Sequence, residues 1–161
     1  MAQIEAKLEE FGLVLPGPLQ APPGMKLPFT PVRIDGDHAY ISGHGPQYAD
    51  GTVAKWHGKL GDGVSVEEGY DAARAACLAM LGSLQRALGD LDRVAAWLKV
   101  LGMVNCTPGF GQTPSVINGF SDLLIELWGP ERGSHARSAV GMSSLPVGIP
   151  VEVEAEVRLA G

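Results

Sequence analysis

The sequence has few cysteines, few charged residues and no long apolar run, and each scarcity excludes a class of protein. Its two cysteines, Cys77 and Cys106, are too few for a disulfide framework and lack the spacing of metal ligands. No apolar run reaches the roughly 18–20 residues that a membrane helix needs. The opening segment MAQIEAKLEEFG lacks the apolar region of a signal peptide. We therefore expect a reduced, cytoplasmic protein with no membrane partner.

Basic residues are scarce as well. Twelve Lys and Arg against eighteen Asp and Glu give a formal net charge of -6. A domain that binds nucleic acid through phosphates usually has a basic surface, so we expect no nucleic-acid partner. The sequence contains no P-loop, Rossmann fingerprint, nucleophile elbow or zinc pattern, so no motif predicts a metal site.

What the sequence does contain fits one globular domain. It has 161 residues, of which 45% are hydrophobic, and domains commonly have about 100–150 residues. Residues 1–27 are interpreted as an arm packed on the domain 28–161, because they hold only one short helix, predicted over residues 2–11, and a proline-rich stretch. The helix is indicated by one apolar stripe that consists of Ile4, Leu8 and Phe11.

Local patterns predict the remaining elements. Residues 29–34 and 38–42 flank a Gly-Asp turn and form a hairpin, and a short irregular second hairpin is expected within residues 47–61. A capping box at Ser65 and Glu68 begins a helix that ends at Gly89. Thr113 is the predicted N-cap of a second helix, which ends at Gly129.

Two strands follow, at 137–143 and 150–159. This order favours an α+β fold with a mixed sheet and two helices packed on one of its faces.

The strand predicted over residues 93–106 is apolar on both faces. Its period of two assigns one face to Val94, Ala96, Leu98, Val100 and Val104, and the other to Ala95, Trp97, Leu101 and Met103. Helices can cover one of these faces, but a small domain has few elements left for the other. A partner subunit is the simplest cover.

Three glutamates alternate on the last strand, at Glu152, Glu154 and Glu156. One interpretation is a solvated strand face. The other is that one carboxylate faces a cleft and meets Arg137 of the preceding strand. There the guanidinium would hold an anionic substrate and the carboxylate would move protons.

The C-terminal third resembles a known family. The segments His135-Ala136-Arg137-Ser138-Ala139-Val140, Leu145-Pro146 and Val151-Glu152-Val153-Glu154 are similar to the signature of the RidA/YjgF proteins, the reactive intermediate deaminases that are also called L-PSP endoribonucleases. Ser42-Gly43 and Asn118 match too. The resemblance covers about residues 28–160.

This resemblance implies a chorismate-mutase-like fold in which three protomers form a central β-barrel with clefts between subunits. It also implies hydrolysis of 2-imino or enamine acids to 2-keto acids and ammonia, without a metal or organic cofactor. Arg137 would bind the substrate carboxylate and Glu152 would activate water. Gly43 and Ala139 would line the pocket through their backbone, and Asn118 would lie beside it.

Some residues depart from the family pattern. Phe29 stands where many active members have tyrosine, and Ala139 stands where they often have cysteine. His44 follows Gly43 where the family often has a small or amide side chain, so either it lines the pocket as an acid or base, or it packs on Tyr48 or faces solvent. A non-catalytic trimer that binds small carboxylates is the alternative function, with ribonuclease as a less favoured third.

Overall fold

The computed structural model describes residues 3–161, so the predicted helix start at Ala2 lies outside the described part of the chain. The helices are α1 Gln3–Glu10, α2 Val66–Leu88 and α3 Thr113–Gly133. The strands are β1 Val32–Asp35, β2 His38–His44, β3 Lys59–Leu60, β4 Gly63–Val64, β5 Val94–Asn105, β6 Ala136–Met142 and β7 Val151–Leu159.

Five strands form one mixed sheet in the order β1-β2-β7-β5-β6. β5 and β6 are parallel and are joined through α3, while the other neighbours are antiparallel. α2 and α3 pack against each other and cover one face of the sheet, which confirms the predicted α+β architecture. The expected second hairpin is reduced to a bridge between Gln47 and Val53, and β3 and β4 form a separate two-stranded ladder.

α1 confirms the short helix that we predicted in the arm, although it ends at Glu10 and leaves Phe11 outside it, and it anchors the arm to the domain. The Asp92 carboxylate accepts from the backbone N–H groups of Gln3 and Ile4, at 2.5 and 3.2 Å. Lys7 Nζ donates to the Leu127 carbonyl at 2.6 Å. A carboxylate at a helix N-terminus accepts from N–H groups that have no partner within the helix and interacts favourably with the helix dipole. The Asp92 contacts therefore hold α1 against the turn Leu91–Arg93, and the Lys7 contact holds it against α3.

The ends of α2 follow the sequence pattern. Ser65 Oγ accepts from the backbone N–H of Glu68 at 3.1 Å, and the Glu68 carboxylate accepts from the backbone N–H of Ser65 at 2.9 Å. Gly89 ends the helix in the left-handed region, with a φ of 81°. Cys77 is fully buried on this helix, and burial raises the pKa of its thiol, which suits a structural role.

The start of α3 corrects one prediction. Gln112 occupies the N-cap position, and Thr113 is the first helical residue. The Thr113 hydroxyl instead donates to the Ala139 carbonyl of β6 at 3.0 Å, so it ties the helix to the sheet. The break that we predicted at Gly129 is present, with a φ of 75°, although one more helical turn follows it.

The side chains of β5 do not follow the strict alternation between two faces that we predicted. Its pairing with β7 shifts register between Val94 and Ala96 and again between Trp97 and Lys99. These irregularities turn Trp97 into the core, where it packs edge-on against Phe120 and Trp128. The assignment of Trp97 to the second face is therefore wrong, because a bulge reverses the side on which later residues lie.

The second face of the sheet, which we call the open face, carries no helix in the described part of the chain. Leu101 and Met103 are half-buried there, and Tyr40 and Val140 are 44% and 40% exposed. A groove of about 430 Å³ crosses this face between basic and acidic side chains, and its lining includes Arg33, Lys99, Glu154 and Glu156. The open face thus combines apolar and charged residues.

The crossing of α2 and α3 depends on Gly119. A Cβ atom at this position would lie 2.0 Å from the Tyr70 carbonyl oxygen and 3.2 Å from the Arg74 backbone nitrogen. We predict that Gly119→Ala lowers the free energy of unfolding by about 1–3 kcal/mol, because the helices must separate. Urea denaturation measures this. Gly111→Ala is the control, since a Cβ there meets nothing within 4 Å; equal stability of the two variants would contradict the close approach.

Candidate functional site

Arg137 lies on the edge strand β6 with its side chain on the helix-covered side. It pairs in register with Val100, a fully buried residue, and its guanidinium reaches α3. Nη1 donates to Asn118 Oδ1 at 2.9 Å and to Ser121 Oγ at 3.1 Å, and Nη2 donates to the Pro114 carbonyl at 3.4 Å. All three acceptors are neutral, so these contacts fix the guanidinium without compensating its charge.

Two other predicted residues lie near Arg137. Asn118 is one of its direct partners, as the previous distances show, and it projects from α3. Ala139 follows Arg137 by two positions on β6, pairs with Gly102, and is half-buried. The structure therefore brings together Arg137, Asn118 and Ala139, which we call the arginine group.

Glu152 occupies the opposite side of the sheet. Val151 and Val153, on either side of it in β7, are fully buried in the core, and Glu152 pairs with Met103 of the open face. Gly43 of β2 lies against it, since a Cβ on Gly43 would fall 2.0 Å from a Glu152 carboxylate oxygen. A side chain at position 43 would therefore displace this carboxylate from its place, and the two residues form what we call the glutamate group.

Glu152 differs from the other glutamates of its row. It is half-buried, whereas Glu154 and Glu156 are exposed. Burial raises the pKa of Glu152, and the negative charge of Glu154 raises it further. A carboxyl group with a raised pKa exchanges a proton more readily near neutral pH, as general acid–base chemistry requires. A uniformly solvated row of three equivalent glutamates does not describe this strand.

The arginine group and the glutamate group do not meet within one chain. They lie on opposite faces of the same sheet, and no hydrogen bond or salt bridge joins Arg137 to Glu152 among residues 3–161. The expectation that Glu152 lies close to Arg137 is therefore not met inside a single protomer.

Phe29 precedes β1, which begins at Val32 and not at residue 29 as we predicted. Its side chain is 57% exposed. The segment that follows it is fixed to β2, because Ser42 Oγ donates to the Thr30 carbonyl at 2.8 Å and the Ser42 N–H donates to the Pro31 carbonyl at 3.0 Å. The two residues that follow Phe29 are thus tied to Ser42, which precedes Gly43 of the glutamate group.

His44 is separated from the glutamate group by the sheet. A register irregularity between Ile41 and His44 turns its ring toward α2, where it is only 8% exposed. Nδ1 lies 2.6 Å from the Ser42 carbonyl and Nε2 lies 2.9 Å from Ser83 Oγ. Of the alternatives for His44, the solvent-facing ring is wrong, and the pocket-lining role gains no support, because the β-bulge buries the ring on the helix side.

Ser121 and His135 are parts of the site that sequence reasoning missed. The Ser121 hydroxyl that accepts from Arg137 also lies 2.9 Å from His135 Nε2. Their spacing along the sequence could have indicated them. Ser121 follows Asn118 by three residues, on the same helix face, and His135 precedes Arg137 by two residues.

Residues 3–161 contain neither a metal-binding cluster nor a membrane-spanning helix. No cluster of three or more His, Cys, Asp or Glu residues has the arrangement of a metal site. No helix in that range is both long enough and apolar enough to cross a membrane.

The chain is thus a small α+β protein with a mixed sheet covered by helices on one side, an arginine on its edge strand and a half-buried glutamate on its open face. The family described as "YjgF/chorismate mutase-like, putative endoribonuclease" matches residues 5–153. The chain belongs to this family. Because the match begins within α1, it includes most of the arm, which lies outside residues 28–160, the range that the resemblance covers.

Individual relatives agree with this assignment. Protein TCP17 of Trypanosoma cruzi is 39% identical over 157 residues, which cover 98% of this chain and 94% of that protein. A protein of unknown function from Agrobacterium tumefaciens is 35% identical, with a TM-score of 0.86 over 98% of this chain and 92% of that one. A putative endoribonuclease from Shewanella oneidensis is 30% identical, also with a TM-score of 0.86, over 98% and 99% of the two chains.

The buried His44 predicts a pH-dependent stability. Burial lowers its pKa most, the Arg86 charge lowers it too, and the hydrogen bond to Ser42 opposes both. The unfolded histidine, with a pKa of about 6.5, therefore binds protons first as the pH falls, and the free energy of unfolding decreases. We predict that the free energy of unfolding of His44→Gln, measured by urea denaturation, changes less between about pH 7 and pH 5.5 than that of the unmodified protein.

His57→Gln is the control, because His57 is exposed, and it should keep the slope of the unmodified protein. His135 stays in both variants, and its lowered pKa contributes to both slopes in the same direction. Equal slopes for His44→Gln and His57→Gln would contradict the prediction.

Proposed function

We propose that this protein hydrolyses reactive 2-imino or enamine acids to 2-keto acids and ammonia, in clefts between the subunits of a homotrimer. The observation that carries the proposal is the division of the site. Arg137 is fixed by neutral acceptors and has no carboxylate partner among the described residues, while Glu152 is half-buried on the other face. In the described part of the chain, the arginine group thus has a cation without a carboxylate, and the glutamate group has a carboxylate without a cation.

A second copy of the chain supplies the missing half. Arg137 lies on the edge strand β6, where another sheet can approach, and the open face presents the half-buried Leu101 and Met103 for cover. In this arrangement Arg137 of one protomer faces Glu152 of its neighbour. The family resemblance supports three protomers around a central barrel.

The chemistry follows from the two groups. Arg137 binds the substrate carboxylate through paired N–H donors. Glu152 accepts a proton from a water molecule whose oxygen attacks the carbon of the C=N bond, and it passes that proton to the nitrogen, so that a carbinolamine forms. Glu152 then takes the proton of the carbinolamine hydroxyl group and delivers it to the nitrogen. The C–N bond breaks, the C=O bond of the 2-keto acid forms, and ammonia leaves. The overall reaction consumes one water for each ammonia released.

A binding protein without turnover is the second candidate. It is favoured by Phe29, which offers no hydroxyl group where the resemblance leads us to expect tyrosine in many active members. Ribonuclease activity, which the family description names, is less favoured. The chain carries a net charge of -6, and its open-face groove places Glu154 and Glu156 opposite its basic residues.

Ammonia release from a freshly generated imino acid separates these candidates. An acceleration over the uncatalysed reaction supports the enzyme. Binding of pyruvate without acceleration supports the binding protein. Cleavage of single-stranded RNA by protein freed of contaminating nuclease, with no effect on the imino acid, would support the ribonuclease.

For the enzyme, we predict that Glu152→Gln lowers the rate of imine hydrolysis by about 10²–10⁴-fold, the usual range for general acid–base catalysis. The amide keeps the shape of the side chain but accepts no proton, so pyruvate binding should survive. Glu154→Gln is the matched control, because it removes a carboxylate from the same strand face, and its rate should stay within a few fold. Equal small effects of both variants would leave the reaction without its base.

We also predict that the protein is a trimer at micromolar concentration, because the site is incomplete in one chain. Multi-angle light scattering measures the mass directly. Met103→Lys places a charge on the half-buried open face beside Glu152 and should shift the mass toward the monomer, while Lys55→Glu, at an exposed loop residue, should not. A stable monomer for the unmodified protein would contradict the intersubunit site.

A further inference from the structure

His135 lies between α3 and β6, and both of its ring nitrogens are engaged. Nδ1 is 2.8 Å from the Gly133 carbonyl oxygen, and Nε2 is 2.9 Å from Ser121 Oγ. A carbonyl oxygen only accepts hydrogen bonds, so Nδ1 carries the proton. Nε2 is then the acceptor, and the Ser121 hydroxyl donates to it. This pair of contacts fixes the tautomer of His135.

The Ser121 hydroxyl has a single proton, and that proton points to His135. Its lone pairs are therefore free to accept, and Arg137 Nη1 donates to them at 3.1 Å. Ser121 is only 8% exposed, so water does not readily replace this acceptor. His135 thus determines that Ser121 faces Arg137 as an acceptor.

The remaining donors of Arg137 have no acceptor among the described residues. Nη1 uses both of its hydrogens, on Asn118 and Ser121, and Nη2 uses one on Pro114. Nε–H and one N–H of Nη2 are left. Nε and Nη2 form one edge of the guanidinium, and such an edge matches the two oxygens of a carboxylate.

We propose that His135, acting through Ser121, is a positioning residue that holds the guanidinium of Arg137 with its Nε–Nη2 edge free for the substrate carboxylate. This inference rests on the proposed function, in which Arg137 binds that carboxylate. His135 touches neither substrate nor water in this scheme. It preorganises the arginine, and preorganisation lowers the entropic cost of binding.

The surroundings favour the neutral ring that this arrangement needs. Burial lowers the pKa of His135 most, and the Arg137 charge lowers it as well, while the hydrogen bond to Gly133 has the opposite effect. A protonated ring would donate from Nε2 and turn the Ser121 proton away. The Ser121 hydroxyl would then need an acceptor for its own proton, and it would compete with Arg137 for the acceptors that surround the guanidinium.

A similar chain elsewhere in the molecule provides a matched control. His44 Nε2 contacts Ser83 Oγ, and Arg86 donates to the same oxygen at 3.1 Å. Arg86, however, also donates to the Pro16 carbonyl, so that chain holds the arm. Ser83 is 7% exposed, close to the value for Ser121, and removal of either hydroxyl deletes one buried hydrogen-bonded group.

The test is calorimetric titration of the full chain with pyruvate. We expect Ser121→Ala and His135→Ala to weaken binding by about tenfold or more, the loss typical of one hydrogen bond to a charged group. Ser83→Ala should bind pyruvate as the unmodified protein does, within about twofold, even if its stability falls by a similar amount. His135→Gln, whose amide oxygen can accept from Ser121, should restore part of the affinity.

Steady-state hydrolysis adds a second readout. The loss in Ser121→Ala and His135→Ala should appear mainly in KM, because Glu152 is unaltered. Equal effects of Ser121→Ala and Ser83→Ala on affinity, at equal stability, would assign His135 a merely structural role and overturn the proposal.

Nitrogen NMR distinguishes failure of this proposal from failure of the proposed function. The ring shifts of His135 should show the Nδ1–H tautomer, and Ser121→Ala should broaden the Nε–H resonance of Arg137. If these are observed and the unmodified protein neither binds pyruvate nor releases ammonia, the proposed function fails while the positioning stands. An Nε2–H tautomer in the unmodified protein overturns the positioning itself.

Discussion

The antiparallel pairing of β5 with β7 is the constraint on which the rest of the structure depends. β7 lies at the centre of the sheet, between β2 and β5, and its alternation directs valines to the helices and glutamates to the open face. The same pairing sets Glu152 opposite Met103. A shift of one residue would exchange the two faces of the strand and bury its carboxylates, so the apolar half of β7 fixes the position of the acidic half.

The open face follows from this constraint. Helices cover only one side of the sheet, and the other keeps half-buried apolar residues beside charged ones, as Leu101 and Lys99 do next to each other in the groove. Such a face is more apolar than a solvated strand surface requires and more polar than a domain core. Interfaces between subunits commonly have this mixed composition.

Much of the fold could be predicted from the sequence where the determinants are local. The capping box at Ser65 and the strict alternation of β7 each specify an element through neighbours a few residues apart, and both predictions are confirmed. The predicted face of Trp97 and the predicted N-cap role of Thr113 were wrong for the same reason. A bulge in β5 and the contact of Thr113 with β6 depend on partners distant in sequence, which no local pattern contains.

The candidate site shows the same division. Motif resemblance selected Arg137 and Glu152, but it could not place them on opposite faces, because that follows from the register of three strands. The surroundings of His44 could not be predicted, because Gly43 and His44 are adjacent in sequence, yet the irregularity after Ile41 directs them to different sides of the sheet. His135 belongs to a segment that carries the resemblance, but the resemblance gives it no role, and its partner Ser121 is brought near only by the return of the chain after α3.

A series of hydrogen bonds around Arg86 connects the arm to the glutamate group. Pro16 accepts from Arg86, Arg86 and His44 share the Ser83 hydroxyl, and His44 holds the carbonyl of Ser42, whose next neighbour, Gly43, lies against Glu152. Hydrogen bonds in such chains polarise and stiffen one another. The arm is therefore linked by hydrogen bonds to the backbone that packs against Glu152, and a domain boundary drawn at residue 28 would divide this set of contacts.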